Sequence, residues 1–368
     1  MHRWAIEILG RDGTRFGQRA IEPDFAPLQE SARLAYVRQH GPGAAPDYDR
    51  PVEITPVWQP KLGEPYVGGL EMAVEGRVLP DPASTAIFRA SATEVAAGFA
   101  ERGSMEEGAK FVYLVTAYIE DAERPADQKS TSRIRVSSLP VGVQVSDGYW
   151  PEPVSVLSEE RANDLGITVP RRVLDDISAL TESKRGVETG GVLLGHLRWD
   201  ATRKDLFLEI TEHIHARSAI GDSTRLRFTP ECWAEIRRAM ALRQRGEAIC
   251  GWWHSHCGRE FCVECPRERQ ATCPLQAGFL SDHDKTLHRT VFPRAFMTAL
   301  VATDSALGDI RFSMFGWQNG VLEKRGYRVT GEDSPPAYAM CQPVAGDEMA
   351  EQGAAACEHP KSTSSSRA

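Results

Sequence analysis

Two tryptophans running into a spaced histidine pair, Gly251-Trp252-Trp253-His254-Ser255-His256, constrain this chain more than any other segment. The apolar start reads as the end of a buried strand, and on a strand residues i and i+2 project from one face. His254 and His256 therefore aim two imidazoles at one spot. Downstream, Ser281-Asp282-His283-Asp284 offers the carboxylate of Asp284 as a third ligand. A catalytic zinc takes three protein ligands and keeps a fourth position for water.

Blander readings stand beside this one. His213-Ile214-His215 is a second His-x-His on another apparent strand, with no Ser-x-x-Asp behind it. Ser281 to Asp284 also reads as a helix start, with Ser281 as N-cap and Asp284 reaching back as in a capping box. The first turn of a helix can present Asp284 to an ion, so cap and ligand are compatible. This is the only Ser-x-x-Asp in the sequence.

A third element lies upstream at Glu188-Thr189-Gly190-Gly191-Val192-Leu193-Leu194-Gly195. It reads as a glutamate entering an apolar, glycine-rich strand, and strand glycines mark close approach by another backbone or a ligand. A carboxylate beside a zinc-bound water can take its proton and later deliver it to a leaving amine. Taken alone, Glu188 equally suits an ordinary exposed strand start.

Together, Glu188, His254-x-His256 and Ser281-x-x-Asp284 resemble the signature of the JAMM (MPN+, JAB domain) zinc metalloproteases, over roughly residues 155–325. The resemblance implies an α/β fold, a JAMM-type mixed sheet sandwiched by helices with cytidine-deaminase-like layering. It implies His254, His256 and Asp284 as zinc ligands, Glu188 as general base, and Ser281 as a donor to the developing oxyanion. It also implies cleavage after the C-terminal glycine of a ubiquitin-like protein, either in deconjugation or in precursor processing. Ubiquitin-like activating or conjugating enzymes are then possible partners. The alternatives are a catalytically inactive MPN-like scaffold and a zinc amidohydrolase acting on a small amide conjugate. No His-Glu-x-x-His and no Gly-x-Ser-x-Gly occurs, which excludes a thermolysin-like helix and a serine nucleophile elbow.

The chain departs from the family in one place. Between His256 and Ser281 lie 24 residues, far more than the family's usual gap, and Cys257 stands where the family carries proline. The cysteine-rich insert, 257–275, holds Cys257, Cys262, Cys265 and Cys273. Cys262-Val263-Glu264-Cys265 has zinc-knuckle spacing, and the four thiols are candidates for a second, structural zinc that would give a polar loop a reason to fold. A redox or disulfide pair, or thiols without a role, are the other readings. Cys257 could instead reach the catalytic ion.

The balance of the chain fits a cytoplasmic globular enzyme. Of 368 residues, 41% are hydrophobic and 26% charged, ordinary values for globular proteins. The N-terminal Met1–Glu7 segment lacks a signal-peptide apolar run, and no stretch reaches membrane-spanning length, so no membrane partner is expected. A net charge of −8 without a basic run argues against a nucleic-acid partner.

Three regions follow from pattern: an α+β domain at 1–150 with a possible recruitment role, the metalloprotease domain at 151–328, and a disordered tail at 329–368 that includes Cys341 and Cys357. In the first, Trp4–Leu9, Val52–Trp58, Gly69–Leu79, Lys110–Glu120 and Arg133–Val145 read as strands. Ser91–Arg102 reads as a helix capped by Ser91. Gly41–Asp49 and Ala122–Ser132 read as loops without order. In the second, helices are expected at Pro170–Glu182, from Thr229-Pro230 to about Arg245, and at Ser281–Thr290. Strands are expected at Glu188–Trp199, Leu206–Ala216, Ala248–His256, Phe296–Thr303 and Asp309–Trp317.

Overall fold

A computed structural model of the chain describes residues 2–44, 51–59, 65–119, 145–151, 153, 155–157, 164–262, 265–270 and 273–331. Most of Arg133–Val145, the loop Ala122–Ser132, the end of Gly41–Asp49 and the tail from 332 with Cys341 and Cys357 lie outside these residues. Of the loop expected at Gly41–Asp49, Pro42–Ala44 forms a 3₁₀ turn, and the tail expected from 329 begins later, because Tyr327–Thr330 is a strand. The fold is mixed α/β, built around two large sheets.

The first sheet uses β1 (His2–Gly10), β2 (Arg15–Ile21), β3 (Glu53–Gln59), β4 (Tyr66–Val74) and β5 (Phe111–Ile119). Their order is β2-β1-β5-β4-β3, with every neighbouring pair antiparallel. Trp4, Ile6 and Ile8 alternate into a core shared with α1 (Ala26–His40) and α2 (Arg89–Glu101). The single strand expected over Gly69–Leu79 is divided. Glu75 and Gly76 both take positive φ, 52° and 76°, and turn the chain into a hairpin at Arg77–Val78. The helix expected from Ser91 begins two residues earlier, after a 3₁₀ turn capped by Ser84.

Helix α1 has no clear apolar period, because its buried positions include Pro27, Ser31 and Ala32. Tertiary contacts stabilise it. Arg38 makes a bidentate pair with Asp205, at 2.8 Å for both contacts, and Glu30 pairs with Arg294 at 3.3 Å. Leu28 and Ala32 enter the first core, whereas Leu34 and Val37 pack against the second.

The second sheet runs through β6 (Val145–Asp147), β7 (Ser155–Leu157), β8 (Gly166–Pro170), β9 (Gly190–Asp200), β10 (Asp205–His215), β11 (Ala248–His256), β12 (Thr298–Asp304), β13 (Ile310–Gln318), β14 (Val321–Arg325) and β15 (Tyr327–Thr330). The order is β14-β13-β12-β11-β9-β10-β8-β15-β7, with β6 also on β9. Pairs β11–β12, β8–β10, β8–β15 and β6–β9 are parallel and the rest antiparallel.

Helices cover both faces of this sheet. Val173, Leu174 and Ile177 of α3 (Arg171–Ser183) join a core containing Trp253, Leu300 and Leu193. Ile236 of α4 (Pro230–Arg243), with Phe292 beyond α5 (Asp282–Val291), joins an opposite core containing Trp252, Val301 and Val192. Successive tryptophans thus fill opposite faces, as the two-residue period of a strand requires. Thr229 caps α4 and Pro230 starts it, as expected. No helix among the described residues is long and apolar enough to cross a membrane.

Candidate metal centre

Strand β11 delivers His254 and His256 to the face that also holds Trp252. The Trp252 indole stacks on the His254 ring, with centroids 4.5 Å apart and planes 11° from parallel. Phe279 closes the other side against the His256 ring at 4.7 Å. The imidazoles meet edge to edge, Nε2 to Nε2 at 2.9 Å.

Asp284 reaches the pair from the first turn of α5. Its Oδ2 lies 3.6 Å from His254 Nε2 and 3.9 Å from His256 Nε2. A tetrahedral ion with bonds of about 2.0–2.2 Å sets its ligand atoms roughly 3.3–3.5 Å apart, and the three observed separations bracket that spacing. The donor chemistry also fits, with two neutral-capable imidazoles and one carboxylate. This buried group can bind a metal ion. Neither Nδ1 has a hydrogen-bond partner among the described residues, and the Nε2 atoms face each other and Asp284.

The helix cap expected at Ser281 is formed. The Ser281 hydroxyl accepts the Asp284 backbone N–H at 3.2 Å and donates to Asp284 Oδ2 at 2.7 Å; the Ser281 N–H donates to the same oxygen at 2.8 Å. The hydroxyl thus orients the Asp284 carboxylate. Burial pushes the Asp284 carboxyl up, but the contacts with His254, His256 and Ser281 outweigh it and hold the group well below the usual carboxylate range. Burial lowers the His256 imidazole against the opposing pull of Asp284.

Glu188 stands just outside β9, not within it, with Oε1 4.0 Å from His256 Nε2. It is 5% exposed, which rules out the ordinary exposed strand start. Burial pushes its carboxyl up to about 7, with the negative charges of Asp284 and Asp222 adding to the rise and His254 opposing it. A titratable group tuned towards neutrality beside a metal-sized cluster is suited to proton transfer.

Two unanticipated devices place Glu188. Ser255, between the histidines, donates its N–H to the Thr189 carbonyl at 2.7 Å and accepts the Thr189 N–H on Oγ at 2.9 Å. On the other side, the Glu188 N–H donates to the Asp222 carbonyl at 2.7 Å, at the small hairpin Ile220–Gly221 and Leu226–Arg227. A Cβ on Gly221 would sit 2.0 Å from the Glu188 carbonyl oxygen, so only glycine allows this approach. The middle residue of the His-x-His was the available signal for the first device; nothing local signals the second.

The insert cysteines lie outside the histidine–aspartate cluster, and Cys262 interacts with both Cys265 and Cys273. Cys262 Sγ lies 3.5 Å from Cys273 Sγ and accepts the Gln276 amide at 3.0 Å. Among the described residues, two groups of three or more ligand atoms fall mutually within 4.8 Å, and neither contains a cysteine. Cys257 is thus outside the His254–His256–Asp284 cluster, and burial, with nearby acids, pushes its thiol up to about 12. The second such group is Asp176, Glu212 and His213; Arg172 and Arg243 pair with Glu212, which neutralises it. His215 Nε2 contacts Thr189 Oγ1 at 2.9 Å.

No known family's sequence model matches the chain, and no curated protein matches it. Among solved structures, a protein from Desulfitobacterium hafniense studied in solution is similar at 14% identity, covering 45% of this chain and 94% of its own, with a TM-score of 0.30. A likeness that weak carries no argument about fold or function.

Proposed function

We propose that this chain is a zinc-dependent peptidase or isopeptidase of the JAMM type, cleaving after the C-terminal glycine of a ubiquitin-like protein. One observation carries the reading: a buried carboxyl tuned near neutrality lies 4.0 Å from one of two converging imidazoles, beside a third, carboxylate ligand. The helices on both faces of the second sheet suit the JAMM layering, and the order Glu188, His254, His256, Ser281, Asp284 suits its motif.

His254, His256 and Asp284 would hold the ion. When bound, zinc supplies a Lewis acid for the scissile carbonyl and lowers the pKa of its water towards about 7. Glu188 accepts the proton of the attacking water and returns it to the leaving amine, a role suited to a carboxyl near 7. Ser255 and the Ile220–Arg227 hairpin hold Glu188 in place from two sides. Ser281 acts first as the positioning residue for Asp284. A Gly-Gly tail suits a buried centre because it brings no side chain into it.

Zinc content and cleavage of Gly-Gly fusions of ubiquitin-like proteins test the reading together. Wild type should bind zinc and cleave, Glu188→Gln should bind and not cleave, and His256→Ala should do neither. Zinc retained in His256→Ala would remove the centre from its assigned place. Zinc bound at His254, His256 and Asp284 without cleavage of any fusion would leave a metal-holding scaffold.

A further inference from the structure

A groove of about 610 Å³ opens beside Glu188, between the loop leading into β9, the end of β10 and the Ile220–Arg227 hairpin. That volume lies within the roughly 300–1,000 Å³ typical of ligand sites. Its rim exposes two apolar side chains, Val187 at 44% and Ile220 at 65%. Lys184 and Arg217 also line it, both exposed, and neither forms an ion pair with a described residue. Its one acid is Glu188, at the inner end.

The two cations both act on His215, which also lines the groove. Burial lowers the His215 imidazole, and the charges of His213, Arg217 and Lys184 lower it further, so both side chains lie within electrostatic reach of the same ring. His215 in turn contacts Thr189, next to Glu188. An extended chain leaving the metal centre past Glu188 therefore meets an apolar rim and two unpaired positive charges.

We propose that Lys184 and Arg217 are specificity determinants that select an acidic peptide segment, so that the tail entering this groove carries Asp or Glu ahead of its terminal glycines. The inference rests on the peptidase reading for the identity of the glycines. The charge preference rests only on the groove. Exposed charges act through screened attraction, so the preference is modest in size and depends on salt.

The test uses fluorescein-labelled tetrapeptide amides, Glu-Glu-Gly-Gly and Lys-Lys-Gly-Gly, with the full-length zinc-loaded protein. Binding is read by fluorescence anisotropy at low and high salt, and cleavage by release of ammonia from the amide. The expected result is roughly tenfold tighter binding of the acidic peptide at low salt, narrowing at high salt and reversing in Lys184→Glu/Arg217→Glu. Lys184→Gln/Arg217→Gln, which should abolish the preference, serves if charge reversal unfolds the protein. Equal binding, tighter binding of the lysine peptide, no binding of either, or a preference that survives both variants would overturn the proposal. A preference that behaves as expected, without cleavage, would support the groove assignment and count against the peptidase reading alone.

Discussion

Ser255 Oγ accepts the backbone N–H of Thr189 at 2.9 Å, joining the residue between the two histidines to the residue after the glutamate. With the reciprocal Ser255 N–H to Thr189 carbonyl bond at 2.7 Å, this extends the antiparallel pairing of β9 and β11 by one step beyond Gly190 and His254. The position of Glu188 relative to the metal centre is thus a matter of strand register.

Ser255→Ala removes the acceptor and leaves the buried Thr189 N–H unpartnered. The expected loss is about 1–3 kcal/mol of stability, read from urea unfolding. Metal content should stay at the wild-type level and turnover should fall, because the ligands sit on β11 and α5 while Glu188 loses half of its anchor.

Glu188→Gln preserves size and removes the proton acceptor. Turnover should drop by about 100- to 10,000-fold with zinc affinity little changed. Single-turnover kinetics beside elemental analysis separate the two effects, and full activity in the variant would remove Glu188 from its role.

His288 sets an acid limit on stability. The Trp252 indole N–H donates to its Nδ1 at 3.1 Å, and burial lowers the imidazole to about 3. A histidine held neutral in the fold is protonated near 6.5 once unfolded, so its contribution is complete above about pH 6.5 and is lost as pH falls towards 3. Unfolding free energies from urea titrations between pH 6 and 4 should decline by on the order of 1 kcal/mol per pH unit from this group. His288→Gln should flatten that slope; an unchanged slope would assign it elsewhere.

Metal counting separates the centre from the insert. Among the described residues no cysteine falls in a metal-sized group, and one zinc per chain is expected. It should be lost in His256→Ala and kept in a variant with Cys257, Cys262, Cys265 and Cys273 all changed to Ser. A second zinc lost only with the cysteines would show that the insert closes around metal when metal is present.

Gly221→Ala tests the hairpin clamp. The added methyl would meet the Glu188 carbonyl at 2.0 Å, so the hairpin must retreat. Turnover should fall while zinc stays bound, since the three ligands are carried by β11 and α5. Unaltered kinetics would make the hairpin irrelevant to Glu188.

Much of the second sheet was legible because its segments are long, apolar and well bounded. Ala248–His256 matches its expected span, and Thr229-Pro230 marks the start of α4 by local chemistry alone. Helix α1 and the strand Arg15–Ile21 were not legible, since Pro27, Ser31, Ala32 and the half-exposed residues of β2 show no strong period. Their order comes from partners distant in sequence, such as Asp205 for Arg38 and Ser31 for the N–H of Gly320 at 3.0 Å. The insert was legible only in part: Cys262 and Cys265 have knuckle spacing, whereas the approach of Cys273 to Cys262, 3.5 Å between sulfurs, is made by the fold of the loop.

The sequence by itself determined which side chains can bind metal and which face of a strand two of them share, because two-residue periodicity is a local property. It also determined that Ser281 and Asp284 can cap a helix, since a capping box closes within four residues. Only the tertiary structure decided that Asp284 meets the histidines, that Glu188 is buried with its carboxyl raised to about 7, and that Ser255 and Gly221 hold it there. Each of these depends on separations of 28 to 96 residues being closed by sheet register and helix packing, where the desolvation that tunes a carboxyl is set by whatever covers it.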